Sequence, residues 1–304
     1  MSERSHRTTL VTGGTGFVGG HLLPLLDRTI LTTRNVERAR QKAGAHGDEF
    51  LQWSDDFHID PDSSIDSVVN LMGESIAEGR WNAQKKQRIR TSRIDATDRL
   101  VDQILGLKKK PSVLVAASAV GIYGDAGEDV VDESYPAAAG FLPDVCADWE
   151  AANMRLSDHG VRVVLLRIGI VLGREGGAMS KLVPMFKLGL GGKLGDGKHY
   201  VPWIHVADLA AMIQWSIDSP DVKGVVNASA PNPVTNAQMT SSLAKALGRF
   251  AILPAPKFGL RLVFGEFADS LFSSQRAVPK AALDGGFDFR FANIDQAIQD
   301  IVSK

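Results

Sequence analysis

A glycine-rich turn near the start of the chain has the residue types and spacing of a phosphate-binding site. In "TLVTGGTGFVGG", Gly13, Gly16 and Gly19 fall at the end of the first apolar run and the start of a helical pattern. The first glycine allows a tight turn, the second lets the backbone approach a pyrophosphate, and the third lets the helix pack closely on the strand. Thr15 and Phe17 lie within the same turn. Because backbone N–H groups at a helix N-terminus attract anions, the turn predicts a dinucleotide-binding site.

The end of the second apolar run distinguishes between the two nicotinamide dinucleotides. An acidic side chain there hydrogen-bonds the adenosine ribose of NAD, whereas an arginine accommodates the 2′-phosphate of NADP. The run ends "ILTTRN", with Arg34 and neither Asp nor Glu. The sequence therefore favours NADP, or NADPH in its reduced form. The alternative is that Arg34 is a solvated cation of the loop.

A polar set follows the apolar run "DSVVNLM" and continues into the next helical pattern. It consists of Glu74, Arg80 and Trp81, with Ser92 and Arg93 further along. Such side chains can form a pocket for an anionic or hydroxylated substrate. Equally, they can cap helices and pin the loop, as polar residues in turns often do.

His205 and Asp208 in "WIHVADL" stand three residues apart at the start of a helical pattern, "WIHVADLAAMIQWSI". They suit an acid–base pair or a contact with substrate, and they equally suit helix capping, the role that we favour. The other histidines have no His-Glu-x-x-His or comparable spacing. The chain has one cysteine and so no Cys-x-x-Cys pair, and we predict no metal site.

Short apolar runs alternate with helical patterns and are apolar on both faces, as in parallel strands covered by helices on both sides. They are "TTLVT" (8–12), "TILTT" (29–33), "DSVVNLM" (66–72), "SVLVAAS" (112–118) and "VRVVLLRIG" (161–169), and "GVVNAS" (224–229) is a further strand candidate. The predicted fold is α/β: a Rossmann-like, doubly wound, mostly parallel sheet with a smaller C-terminal substrate lobe.

For three helices, the sequence predicts the position of at least one end. Pro24 should make the first helix kink or stop early, since proline breaks the hydrogen-bond ladder. One long helix is predicted over residues 82–106, with Asn82 as its N-cap, and another from about residue 236 to 247, with Thr235 as its N-cap.

Beyond residue 170 the sequence becomes rich in glycine and poor in strand pattern. We therefore expect two units. The NADP-binding Rossmann domain would comprise residues 1–172 and 200–230, and the smaller substrate-binding lobe residues 173–199 and 231–304.

Composition excludes few function classes. The 304 residues carry a formal charge of −1, which gives no net-charge argument for nucleic acid or an anionic membrane as a partner. A basic cluster at residues 85–93 is balanced by acidic residues and is interpreted as a solvated helix face. The N-terminus has no apolar signal core, and the sequence has no long hydrophobic span. We expect a cytoplasmic protein with a small-molecule substrate, and the oligomeric state stays open.

Several motifs in the same order resemble those of the extended short-chain dehydrogenase/reductases, the NAD(P)-dependent epimerase/dehydratase superfamily. They are "TGGTGFVGG", "VVNLMG", "AASAVGIYG" and "WIHVADLA". The match is closer to a subgroup called epimerase family proteins, through "NLMGESIAEGRWNAQKKQRIRTSRI", "CADWEAA", "VPWIHVADL" and the tail "LPAPKFGLRLVFGE...SSQRAVPKAALDGGFDF".

The resemblance implies roles for cofactor-binding residues. Gly13, Gly16 and Gly19 would hold the pyrophosphate, and Arg34 the 2′-phosphate. The adenine and ribose side would be lined by Asn70, Leu71, Met72 and Gly73.

The resemblance fails at the catalytic residues. The extended enzymes carry a Ser or Thr four residues before the Tyr of Val-Tyr-Gly, and counting back from Tyr123 gives Ala119, with Ser118 one step earlier. One step along a strand turns the side chain to the opposite face. Tyr123 follows the strand at the carboxyl edge, where such sheets bind ligands.

The Tyr-x-x-x-Lys pair of the superfamily is absent. In "GFLPDVCADWE", Glu150 matches a Glu that often follows the Lys by four residues, so the Tyr and Lys places fall on Leu142 and Cys146. In the superfamily the Tyr exchanges a proton with the substrate and the Lys binds the nicotinamide ribose. Leu can do neither, and Cys146 is either a proton-exchanging group or a small buried residue.

Two functions are consistent with these residues. The first is an NADP-dependent oxidoreductase or epimerase acting on a small hydroxyl or carbonyl compound, nucleotide sugars among them. Tyr123, Ser118, Cys146 or water would then transfer the proton. The second is a non-catalytic NADP(H)-binding sensor or scaffold protein that has kept the dinucleotide site.

Overall fold

The computed structural model describes residues 7–251 and 257–303. The strands are β1 (Thr8–Thr12), β2 (Arg28–Thr33), β3 (Glu49–Gln52), β4 (Ser67–Asn70), β5 (Val113–Ala119), β6 (Val130–Val131), β7 (Arg162–Ile168), β8 (Ile170–Gly173), β9 (Gly176–Gly177), β10 (Tyr200–Val201), β11 (Trp203–His205), β12 (Gly224–Ala228), β13 (Val234–Thr235) and β14 (Arg276–Ala277). The α-helices are α1 (Phe17–Leu22), α2 (Val36–Ala43), α3 (Ala83–Thr91), α4 (Ile94–Gly106), α5 (Phe141–Met154), α6 (Met179–Lys187), α7 (Val206–Asp218), α8 (Asn236–Ala246), α9 (Lys257–Phe264), α10 (Phe267–Ser270), α11 (Lys280–Asp284) and α12 (Ile294–Val302). Short 3-10 turns follow at Leu23–Leu25, Gly44–His46, Val120–Tyr123 and Ser157–His159.

Seven strands form one parallel sheet in the order β12-β7-β5-β4-β1-β2-β3. Thr12 pairs with Asn70 and Asn70 with Ala116, so β1, β4 and β5 reach the carboxyl edge together. From β1 the chain adds β2 and β3 on one side of the sheet. It then returns to the other side of β1 and adds β4, β5, β7 and β12 in that order. Ligands of doubly wound sheets bind at such a reversal, and the predicted fold class is confirmed.

Helices bury both faces of the sheet. Leu10 and Val11 of β1 are both fully buried, but they belong to opposite hydrophobic clusters because successive side chains of a strand alternate. Leu209 of α7 packs on the face of Val11, and Leu100 of α4 packs on the face of Leu10. Each such buried leucine contributes roughly 1.5–3 kcal/mol relative to exposure.

The six predicted strands of this sheet are present, and β3 was not predicted from the sequence. Its residues "EFLQ" have exposed ends around half-buried Phe50 and Leu51, as in an edge strand. The first helix ends at Leu22 and continues as the 3-10 turn that contains Pro24, which confirms its predicted early end.

The prediction of one helix over residues 82–106 is wrong, because the segment forms α3 and α4 with a break at Ser92 and Arg93. The carbonyl of Ile89 accepts hydrogen bonds from the Ser92 hydroxyl at 3.2 Å and the Arg93 guanidinium at 3.2 Å. Side chains thus compete with the helix ladder at this carbonyl. Asn82 caps α3 as predicted, since its side chain accepts from the Lys85 N–H at 2.8 Å.

A further hydrophobic cluster lies beside the sheet, where Met179, Leu243 and Ile298 of α6, α8 and α12 pack with Trp203 of β11. The residues "WIH", which we assigned to a helix, form β11, and α7 begins at Val206. Thr235 caps α8 with a capping box, as predicted. The division into two units stays a prediction. Among the described residues, no helix is long and apolar enough to cross a membrane.

The Asp208 carboxylate should stabilise the fold by tying α7 to the segment before α12. It is 2% exposed and accepts the N–H groups of Arg290 and Phe291, each at 2.9 Å. In Asp208→Asn the amide group places a donor against one of these donors. We expect the free energy of unfolding to fall by about 1–3 kcal/mol in urea denaturation. Asp221→Asn, at an exposed position, is the control, and equal effects of the two variants would contradict this role.

Candidate cofactor site and neighbouring acid–base groups

The glycine turn after β1 makes the close approaches that require glycine. Gly13 has a φ of +69°, and a Cβ there would lie 2.7 Å from the carbonyl oxygen of Leu71, just beyond β4. A Cβ on Gly19 would collide with the carbonyl oxygen of Gly14. Gly16 is exposed at the N-cap of α1, and its N–H donates to the Gly13 carbonyl at 2.9 Å. The turn leaves its backbone open to an approaching pyrophosphate.

Phe17 packs away from this open backbone. Its ring fills the space above Gly173 and Gly176 at the hairpin of β8 and β9, where a Cβ on Gly173 would lie 2.6 Å from the ring. Thr15 is half-buried within the turn. The structure therefore gives Phe17 a packing contact that the sequence pattern did not predict.

Arg34 is exposed directly after β2, at the same edge of the sheet. The Asn35 side chain caps α2 by accepting the Arg38 N–H at 2.9 Å, which fixes the backbone on which Arg34 stands. No ion pair among the described residues includes Arg34. Its charge is thus open to an anion.

The Asn70 side chain is fully buried and is engaged by the protein itself. Its Oδ1 accepts from the Thr12 hydroxyl at 2.8 Å, and its Nδ2 donates to Thr97 at 3.1 Å and to Asn153 at 3.3 Å. These bonds join β1, β4, α4 and α5. Asn70 thereby fixes the end of β4, and its amide is turned into the protein.

Leu71 and Met72 are half-buried after β4, and Gly73 is exposed. The Met72 N–H donates to Asn70 Oδ1 at 3.3 Å. The segment therefore runs along the crevice between β1 and β4 in a fixed position, beside the glycine turn that contacts Leu71.

Glu74 forms ion pairs with two residues of α3. Its carboxylate accepts from Lys85 Nζ at 2.6 Å and from Arg88 Nε at 3.2 Å. The hydrogen bond from Lys85 is the main cause that lowers the pKa of Glu74. Lys85 is 4% exposed and also donates to the Ser75 carbonyl at 2.7 Å. Glu74 thus pins its loop, which is one of the two roles considered from the sequence.

Trp81 is a packing residue, 7% exposed. Its ring centroid lies 5.4 Å from that of Phe141 in α5 and 5.3 Å from that of Phe267 in α10, and its Nε1 donates to the Ile76 carbonyl at 2.8 Å. Arg80 beside it is exposed. The structure therefore does not bring Trp81 and Arg80 together with Glu74 as one polar pocket.

Arg93 lies at the break between α3 and α4, and its guanidinium contacts Gly73. A Cβ on Gly73 would lie 3.0 Å from Arg93 Cζ. The guanidinium donates to the carbonyls of Glu74 at 3.0 Å and Ile89 at 3.2 Å, and lies 5.2 Å from the Trp149 ring centroid. Burial is the main cause that lowers the pKa of Arg93.

A buried polar network occupies the carboxyl ends of β5 and β7. The Ser118 hydroxyl donates to Glu150 at 2.6 Å, and Glu150 receives both Nε and Nη2 of Arg167 at 2.9 Å. Arg167 Nη1 donates to the Tyr123 hydroxyl at 2.9 Å, which donates to Asn227 at 2.7 Å. Burial opposes the charge of Arg167, but its hydrogen bonds to Glu150 and Tyr123 outweigh it and raise the pKa of Arg167.

Ser118 is 3% exposed and Tyr123 1% exposed, so both hydroxyl groups are spent on protein partners. Burial is the main cause that raises the pKa of Tyr123. The resemblance matched Glu150 to a Glu of the superfamily but did not pair it with Arg167, and the ion pair is a finding of the structure. Arg167 and Asn227 were not predicted as site residues. The sequence did contain a signal for Arg167, because an arginine within the apolar strand pattern "LLRIG" indicates a buried and paired charge.

Cys146 lies on α5 and is 4% exposed. Burial, with a smaller contribution from Glu150, raises the pKa of the thiol to about 12. The thiol is thus protonated at neutral pH, which agrees with the interpretation as a small buried residue. Leu142, one turn earlier, is half-buried in an apolar cluster with Trp81.

His205 caps α7, as favoured from the sequence, because its Nδ1 accepts the Ala207 N–H at 3.2 Å. Its ring stacks on Phe291 with centroids 3.9 Å apart, and burial is the main cause that lowers its pKa. Asp208 instead holds the backbone before α12, so the two do not form an acid–base pair. Among the described residues, no group of three His, Cys, Asp or Glu side chains could hold a metal ion.

Comparison with known proteins gives a consistent picture. A family model described as "NAD dependent epimerase/dehydratase family" matches residues 9–229, and one described as "Domain of unknown function (DUF1731)" matches residues 255–301. The chain is 36% identical over 312 residues to the chloroplastic homolog of epimerase family protein SDR39U1 from Arabidopsis thaliana, covering 99% of this chain and 88% of that protein. It is 35% identical over 298 residues to human epimerase family protein SDR39U1, covering 97% and 99%.

Two solved structures illustrate the likeness of fold. The crystal structure of human epimerase family protein SDR39U1 (isoform 2) with NADPH has a TM-score of 0.88 at 33% identity, covering 97% of this chain and 98% of that one. UDP-glucuronic acid 4-epimerase from Bacillus cereus, in complex with UDP-glucuronic acid and NAD, has a TM-score of 0.74 at 16% identity, covering 96% and 97%. The second likeness concerns the fold alone.

The Cys146 thiol should be unreactive in the folded protein. With a pKa of about 12, only roughly one thiol in ten thousand is ionised at pH 8, whereas an unfolded cysteine has a pKa of about 8.5. We expect a disulfide reagent to modify it only after unfolding in urea. The thiol stays protonated to a higher pH in the folded protein than in the unfolded chain. The free energy of unfolding should therefore fall as the pH rises from about 9 to 12, and Cys146→Ala should remove the contribution of this thiol to the fall. Rapid modification of the folded protein would contradict the burial.

The Tyr123 hydroxyl should contribute to stability through its two buried hydrogen bonds. Tyr123→Phe leaves Arg167 Nη1 and Asn227 Oδ1 without the bonds that the Tyr123 hydroxyl makes to them, so we expect the free energy of unfolding to fall by about 1–3 kcal/mol. Tyr135→Phe is the matched control, since that half-buried tyrosine has only an exposed bond to Asp129, and it should change stability by less than about 0.5 kcal/mol. Similar losses in both variants, measured by urea denaturation, would count against the network.

Proposed function

The chain belongs to the NAD dependent epimerase/dehydratase family, and from that premise we propose that it is an NADP(H)-dependent oxidoreductase or epimerase. Its substrate is a small hydroxyl or carbonyl compound, with nucleotide sugars as one class. The observation that carries the proposal is the open glycine turn together with an exposed Arg34 that has no ion pair among the described residues.

The residues around the crevice fit an NADP molecule. Gly13 and Gly19 allow the turn to pack closely on the backbone of Leu71 and Gly14, and Gly16 leaves an exposed stretch of backbone that a pyrophosphate can approach. Arg34 lies at the end of β2, where the 2′-phosphate is expected, and a guanidinium can bind a phosphate through two hydrogen bonds. Leu71, Met72 and Gly73 border the crevice. Asn70 acts indirectly, by holding the end of β4.

When bound, the nicotinamide supplies or accepts the hydride. The side chains of this chain would orient the ligands. The hydroxyl groups of Ser118 and Tyr123 each donate a hydrogen bond to another side chain of the protein, and the Cys146 thiol is buried. The reaction therefore draws its proton from water at the sheet edge, rather than from the side chains in the usual places.

The same observation favours a second candidate, a non-catalytic NADP(H) sensor or scaffold. A protein whose Ser118 and Tyr123 hydroxyl groups are bound internally, and whose Cys146 thiol is buried, can bind both redox forms without converting one into the other. As a sensor it would bind a partner with different affinity in the two states, as linkage requires. The two candidates share the cofactor site and differ in turnover.

Arg34→Ala should weaken binding of NADPH and leave binding of NADH unchanged, because only NADPH carries the 2′-phosphate. We expect the dissociation constant for NADPH to rise roughly tenfold or more, which corresponds to the loss of one charge-assisted hydrogen bond. Lys42→Ala removes an exposed cation of α2 and serves as the matched control. Both constants are measured by nicotinamide fluorescence, and equal affinity of the native chain for NADH and NADPH would contradict the NADP assignment.

Turnover is tested by adding fractionated small molecules from cell extract to the protein with NADPH or NADP and following absorbance of the nicotinamide. A fraction that changes the redox state, and fails to do so with Arg34→Ala, supports the enzyme. Binding without any redox change in any fraction favours the sensor.

A further inference from the structure

We infer that Arg93 is a cofactor-binding residue that holds the ribose next to the nicotinamide. It would act from a different element in place of the lysine that α5 lacks. The inference rests on the proposed function, because it requires that a nicotinamide dinucleotide occupies the crevice. It assigns to the cofactor a residue that the sequence had suggested for the substrate.

The first observation is that the Arg93 guanidinium lies against exposed backbone. Gly73 is exposed, and a Cβ there would lie 3.0 Å from Cζ, 3.1 Å from Nη2 and 3.3 Å from Nε of Arg93. Any larger residue at this position would displace the guanidinium. Gly73 therefore keeps the Arg93 cation at the rim of the crevice.

The second observation is that this cation is only partly satisfied. An arginine has five N–H donors, and Arg93 uses two of them, on the carbonyls of Glu74 and Ile89. Three thus have no partner in the described part of the chain. The Glu74 carboxylate is turned to Lys85 and Arg88. A half-buried guanidinium without a carboxylate has lost hydration, and its remaining donors suit an incoming oxygen-rich ligand.

The third observation is that Arg93 lies beside the face of α5 that carries positions 142 and 146, where the superfamily has its Tyr and Lys. Leu142, Cys146 and Trp149 are spaced four and three residues apart and so lie on one side of the helix. Arg93 Cζ lies 5.2 Å from the Trp149 ring centroid, and the Trp149 indole is fixed by a hydrogen bond to Thr97 at 3.0 Å. The charge of Arg93 also acts on the Cys146 thiol. A cation therefore lies next to the position where the superfamily has its lysine.

The fourth observation concerns the path of a bound dinucleotide. The Gly13 turn touches the Leu71 carbonyl, and Gly73 comes two residues later on the same segment. A dinucleotide whose pyrophosphate lay at the turn would extend along this segment toward α5. It would there meet Arg93, whose planar fork of donors matches a pair of neighbouring oxygens such as a ribose diol.

The experiment compares two ligands that share the adenosine end but differ in the nicotinamide half, which includes the ribose in question. NADPH carries the second phosphate, the nicotinamide ribose and the nicotinamide, and adenosine 2′,5′-bisphosphate lacks all three. Dissociation constants are measured by calorimetry for the native chain, Arg93→Met, Arg93→Lys and Arg34→Ala. Arg90→Met is the matched control, because it removes a neighbouring cation of α3 that pairs with Asp148. Thermal unfolding is followed for every variant.

We expect Arg93→Met to weaken NADPH binding roughly tenfold to a hundredfold, as for loss of charged hydrogen bonds, and to leave the bisphosphate unaffected. Arg93→Lys should fall between, Arg34→Ala should weaken both ligands, and Arg90→Met neither. Unchanged NADPH binding by Arg93→Met, or an equal loss for both ligands, would overturn the inference. If the Arg93→Met variant is unfolded, Arg93→Lys tests the inference in the same way, by comparing the change in the dissociation constant for NADPH with that for the bisphosphate. A native chain that binds neither ligand would refute the proposed function itself.

Discussion

The bidentate ion pair between Arg167 and Glu150 holds the carboxyl edge of the sheet in shape. Both side chains are about nine-tenths buried, with 10% and 11% exposed, and each oxygen of Glu150 has a guanidinium donor. Two charges removed from water are tolerated only with this degree of satisfaction, and removal of either partner would leave the other charge uncompensated. The pair fixes α5 on β7, and through Ser118 and Tyr123 it also fixes the end of β5 and the turn after it.

This arrangement explains how α5 can keep its place without its usual catalytic residues. The helix is anchored by Glu150 and Asn153 on the side that faces the sheet, and those anchors do not depend on the residues at positions 142 and 146. Leu142 and Cys146 fill their places with apolar packing. The position of this helix in the fold therefore does not depend on which residues stand at 142 and 146.

The features that could be predicted from the sequence are those with a local cause. A glycine that permits a tight turn, an Asn before a helix and alternating burial along a strand all act within a few residues, so Gly13, Asn82 and the main strands were found. The inward turn of Asn70 and the packing of Trp81 on Phe267 depend on groups that are distant in the chain, and the break at Arg93 depends on which carbonyl its side chain binds. For Glu74, the sequence is equally consistent with a substrate pocket and with a loop held by ion pairs. Only the positions of Lys85 and Arg88 in the structure distinguish the two roles.

The packing of Phe17 has a consequence for the order in which the protein can assemble during synthesis. The ring belongs to the dinucleotide turn, yet the glycines that cover it come from the β8–β9 hairpin in the second half of the chain. A nascent chain that has emerged only as far as β5 has the turn but leaves this aromatic ring uncovered. The packing around Phe17 is therefore completed late, only after the hairpin has left the ribosome.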